Sequence, residues 1–60
     1  MKIVLIYQEP ETQLNCYRWR EVFDEKEVEE AVELLNSVRE MGYDVKAFKL
    51  VHDKDVWKLQ

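Results

Sequence analysis

Residues 2–8 read KIVLIYQ, and the alternation within this stretch decides what the rest of the chain must build. β-Branched and aromatic residues dominate it, which predicts a strand. Successive side chains of a strand point to opposite faces, so Ile3, Leu5 and Tyr7 fall on one side and Val4 and Ile6 on the other. Both sides are apolar. Such a strand belongs inside a sheet, with cover on both faces.

Working outward, EPETQ (9–13) turns the chain, with Pro10 presetting its backbone and no glycine to make a tight two-residue hairpin. LNCYRWREV (14–22) reads as a second strand, Leu14, Cys16 and Val22 on one face and Tyr17 and Trp19 on the other. Arg18 and Arg20 share the face of Cys16, so the interleaving of basic and aromatic residues in CYRWREVF belongs to the one-dimensional string only. Asp24 is a good N-cap, Glu27 completes a capping box, and Phe23 can staple to Val28. Val28, Ala31, Val32, Leu35 and Val38 follow at helical spacing, and Leu34 and Met41 widen the stripe. Gly42, the only glycine, is placed to end the helix in a left-handed conformation, with Tyr43 closing on Val38 in a Schellman arrangement.

DVKAFKLV (44–51) is a third strand, Val45, Ala47 and Val51 opposing Phe48 and Leu50. The polar HDKD then leads to VWKLQ (56–60), which either doubles back as a fourth strand or crosses to another chain. The expected fold is a single α+β domain of ββαβ(β) type. Its sheet is antiparallel in the order 2-1-3(-4), with one helix on one face.

One helix of about 24 Å shields one face of such a sheet. The second face carries apolar residues from all three strands, and Trp57 and Leu59 add more. A chain of 60 residues is marginal by itself, burying about 60 % of the surface its unfolded form exposes. Disulfide stapling within the chain is excluded because Cys16 is the only cysteine, and a structural metal would have only Cys16 and His52 as soft ligands. The expectation is a homodimer paired through the uncovered sheet face.

Composition narrows the chemistry. With 47 % apolar and 37 % charged residues the chain is that of a folded domain, and its net charge of −4 resides in the helix. Nucleic-acid affinity rests on phosphate neutralisation, for which this is the wrong sign. Arg18, Trp19 and Arg20 nevertheless form the alternative reading, a single-stranded nucleic-acid or RNA contact with Trp19 stacking a base. Glu25, Glu29 and Glu33 recur every fourth residue as an acidic ridge, either a solvated face or a surface for a basic partner protein. His52, Asp53 and Asp55 read as a polar turn, with no nucleophile, glycine-rich phosphate loop or metal-ligand spacing to suggest catalysis. No cofactor or metal is expected. The apolar run at the start is shorter than a signal peptide's, and no stretch approaches the roughly 20 residues that span a bilayer, so a cytoplasmic location is expected.

In general style, a strand pair followed by REVFDEKEVEEAVELLNSVREMGYDV and another strand resembles small proteins of bacterial viruses and mobile elements. The idealised caps also resemble a designed or purely structural domain, although the glycine-free first loop, the odd cysteine and the tryptophans are not a designer's choices. The functional expectation is a small non-enzymatic protein-binding module acting as an inhibitor or adaptor of a host protein. Its partner-binding candidates are Tyr17, Trp19, Glu25, Glu29, Glu33 and Trp57.

Overall fold

The computed structural model describes residues 1–10 and 16–58. Strand β1 (Lys2–Gln8) lies at the centre of a three-stranded antiparallel sheet, between β2 (Arg18–Asp24) and β3 (Asp44–Val51), in the order β2-β1-β3. Helix α1 (Val28–Glu40) crosses one face, preceded by a 3-10 turn at Glu25–Glu27. A second 3-10 segment, Asp53–Lys58, follows β3.

Both faces of β1 are buried, as its composition demands. Leu5 and Tyr7 pack beneath Leu35 and Val38 of α1, with Trp19, Leu34, Tyr43, Val45 and Phe48 around them. On the other face Val4 and Ile6 pack against Val56, bordered by Ala47 and Val51. Val56 comes from the segment expected to be a fourth strand. It forms a 3-10 turn instead, and no fourth strand is present among the described residues. The sequence expectation of a bare second face is corrected accordingly: this turn folds back over the sheet and buries Val4 and Ile6 without a second chain. A fourth strand would have extended an edge of the sheet and left this face bare, whereas a compact turn delivers an apolar side chain to the middle of the face. Burying a side chain such as Val4, Ile6 or Val56 stabilises the fold by about 1.5–3 kcal/mol.

Three further differences have local causes. Strand β2 begins at Arg18 rather than residue 14 and runs on to Asp24, because Phe23 and Asp24 stay in register with Ile3 and Lys2. Leu14 lies outside the described residues, while Cys16 and Tyr17 precede the strand, joined to the turn by the Glu9 amide, which donates to the Tyr17 carbonyl at 2.9 Å. In β3, Val45 pairs with Tyr7 but Ala47 with Ile6, so Lys46 is an extra residue. This bulge moves Val45 to the helix-side face beside Phe48, against the strict alternation expected from the sequence. Finally, only Ala31, Leu35 and Val38 of the helical stripe are buried, while Val28, Val32 and Met41 are exposed. Val32 lies about 100° around the helix from Ala31, beyond what a single sheet surface touches.

The helix ends follow their local chemistry. The Asp24 amide donates to Glu27 Oε1 at 2.9 Å within a capping box, and this tight first turn is 3-10. At the other end Gly42 has φ +82°. Its amide donates to the Arg39 carbonyl and that of Tyr43 to the Val38 carbonyl, each at 3.0 Å, as a Schellman motif requires.

A Cβ at Gly42 would meet nothing within 4 Å, so only backbone conformation opposes substitution there. Gly42→Ala is expected to cost about 1–2 kcal/mol in chemical unfolding, and Gly42→Asn less. Val56→Ala is expected to cost about 2 kcal/mol, lowering the melting temperature by roughly 10 °C, whereas truncating the equally apolar but exposed Val32 to alanine leaves it within a few degrees.

Candidate functional site

The structure separates the residues the sequence suggested. Trp19 stacks on Tyr7 and on Tyr43, with ring centroids 5.4 and 5.5 Å apart, and is half-buried on the helix-side face of the sheet. Tyr43 reaches this stack because the Schellman turn delivers it there, its ring 5.7 Å from that of Tyr7. Burial raises the Tyr7 phenol pKa, aided by the nearby negative charge of Glu21 and by Tyr43. Tyr17 leans on the outer side of Trp19 at 6.3 Å and is 62 % exposed. Trp57 stands elsewhere. It is 75 % exposed and lies under the Arg20 guanidinium, 5.6 Å from it. Arg20 pairs with Ile6, so this contact is on the face opposite Trp19. Tyr17 and Trp19 are therefore neighbours, and Trp57 does not join them.

The residues of the nucleic-acid reading also divide. Arg18 donates from Nε and from one terminal nitrogen to Gln8 Oε1, at 3.1 and 2.9 Å. Trp19 points to the other face and has its ring spent in the stack. Arg18 and Arg20 thus lie on the face opposite Trp19, and the aromatic ring beside Arg20 is that of Trp57.

The polar turn after β3 is tied up in ion pairs. Asp53 lies 3.3 Å from the Met1 amine, which also reaches Glu25 at 3.7 Å, and Asp55 lies 3.4 Å from Lys58. Lys2 donates to Asp24 beside them. That hydrogen bond and the accompanying charge attraction raise the Lys2 pKa and lower that of Asp24. Among the described residues no group of three or more His, Cys, Asp or Glu side chains could hold a metal ion, and no helix is long and apolar enough to cross a membrane.

What the sequence reading missed is a groove between α1 and the outer strand β3. It has a volume of about 400 Å³ and is lined by Ile3, Glu25, Val28, Phe48, Lys49 and Leu50. Val28 and Leu50 are each 50 % exposed, and Val32 continues the apolar strip one turn along the helix. The helical bank carries Glu25, Glu29 and Glu33, all exposed, so the acidic ridge and the apolar strip are adjacent. The signal was available in the sequence as a helical stripe too wide for one sheet to cover. Glu30, on the far side of the helix from Val32, hydrogen-bonds Glu27, and this bond and the charge of Glu27 raise its pKa.

Compared with models of protein families, with curated proteins and with solved structures, the chain matches none.

The Lys2–Asp24 pair generates a pH dependence of definite sign. A lowered carboxylate pKa contributes stability that is present above the usual carboxylate range and lost as pH falls through the depressed value. A raised lysine pKa contributes stability that is present below the usual lysine range and lost as pH rises through the elevated value. The pair is solvent-exposed, so the effect is small. Melting curves of the wild type and Lys2→Met are expected to differ on the neutral plateau and to converge below the carboxylate range. A constant offset at every pH would show that the lysine acts through packing alone.

Proposed function

We propose that the chain is a small non-catalytic protein-binding module whose working surface is the groove between α1 and β3. The occupant that suits it is a basic amphipathic helix of a partner protein. The observation that carries this reading is the adjacency of one apolar groove, with Val28 and Leu50 exposed in its lining and Val32 exposed one helical turn beyond, to the carboxylates of Glu25, Glu29 and Glu33. Grooves that take an amphipathic helix hold its apolar residues at one-turn spacing, and a charged rim sets which helix enters. Here the rim on the helical bank is acidic, so lysine or arginine beside the apolar anchors is favoured. Inhibition or adaptation of the partner is the activity such a module performs, by occupying a segment that the partner uses elsewhere.

The groove is open and broad, and an apolar patch of this kind on a small domain is a mark of an interaction surface. An enzyme would need converging polar groups in an enclosed pocket, with titratable residues shifted by their surroundings. Among the described residues the charged ones lining the groove, Glu25 and Lys49, stand on exposed positions at its rim.

A designed peptide with leucines at helical spacing and lysines between them tests the reading. Titrated into isotopically labelled protein, it is expected to shift the amide resonances of Val28, Val32, Phe48 and Leu50. Leu50→Asp is expected to weaken binding by more than about tenfold, and reversing Glu25, Glu29 and Glu33 to lysine should favour the acidic counterpart of the peptide. Shifts confined to Tyr17 and Trp57, or none at all, would count against the groove.

A further inference from the structure

The two outer edges of the sheet differ. Along β3 the bulge at Lys46 breaks the ladder, and Lys46 and Lys49 add lysines to the edge, both of which discourage strand addition. Along β2 the register with β1 is unbroken from Arg18 to Asp24, and no described strand pairs with its outer side. Its charges are of both signs. Because the Tyr17 carbonyl accepts from Glu9 of the β1 side, alternation turns the backbone groups of Arg20 and Val22 outward.

This edge is complementary to itself. When two copies of β2 are set antiparallel about Val22, Val22 meets Val22, and Arg20 stands directly opposite the partner's Asp24, once on each side of the axis. Sliding the register so that Glu21 lies on the axis instead sets two carboxylates opposite each other, which is unfavourable. Two observations point to the first arrangement. Val22 is 39 % exposed on a strand whose neighbouring residue in β1, Val4, is fully buried. Arg20 Nε is buried with no hydrogen-bond acceptor among the described residues, and its guanidinium is held in place over Trp57. A carboxylate of a second chain set opposite this residue pairs with its guanidinium charge.

We propose that the chain forms a two-fold dimer by β2–β2 pairing about Val22, held by the complementary Arg20 and Asp24 of the two copies and flanked by Trp57. The occupant of this edge is a second copy of the same chain. Six strands then form one continuous sheet, with both helices on one side. Since β2 and β3 are opposite edges, the dimer carries its two α1–β3 grooves at its far ends. That last consequence rests on the groove reading above, whereas the pairing does not.

Mass in solution decides the matter. By light scattering or sedimentation, the protein is expected at twice the 7.3 kDa of one chain at concentrations on the order of 100 μM. Val22→Lys, which sets two lysines on the axis, and Arg20→Glu, which sets a glutamate against the partner's Asp24, are each expected to weaken dimerisation by more than about tenfold while leaving the circular dichroism unchanged. Should one variant fail to fold, the other decides. Leu50→Asp, which blocks the groove, is expected to remain dimeric, so loss of peptide binding and loss of pairing are read separately. A wild-type mass of one chain, or a dimer that survives both folded edge variants, overturns the proposal.

Discussion

The structure depends on one constraint, that β1 is apolar on both sides and must be sealed twice by a chain with a single helix. Leu5 and Val4 are both fully buried although they point in opposite directions. Helix α1 answers for Leu5 and Tyr7 through Leu35 and Val38. The 3-10 segment after β3 answers for Val4 and Ile6 through Val56, with Ala47 and Val51 of β3 beside it. The second seal is the thinner of the two, a single turn over the middle of a face.

Surfaces of interest arise where this cover ends. The helix buries Ala31, Leu35 and Val38, so its flank at Val28 forms the groove with Phe48 and Leu50 while Val32 stays exposed. On the other face the final turn stops with Trp57 exposed beside Arg20. The buried core and the exposed apolar margins thus have the same origin, the limited reach of one helix and one turn across the sheet.

Charged groups reinforce the arrangement at one corner. The Met1 amine, Lys2, Asp24, Glu25 and Asp53 bring together the start of β1, the helix cap and the start of the last 3-10 segment. Each pair is exposed and individually weak. Together they hold the final turn in line with the strand it covers, and Asp24 serves both the cap and Lys2.

By itself the sequence determined what local physics governs. Alternation of β-branched residues set β1 and β3, the Asp24 and Glu27 pair set where the helix begins, and the lone glycine with its positive φ set where it ends. The strand order 2-1-3 followed as well, because a doubly apolar strand has only one comfortable place. The tertiary structure alone decided that residues after Asp53 coil into a turn, that Lys46 bulges and carries Val45 to the other face, and that Val28 and Val32 remain outside the core. These outcomes turn on how far one helix reaches across a particular sheet and on which free segment meets the remaining apolar face. Such distances exist only once the chain has folded, and no local preference of a residue encodes them.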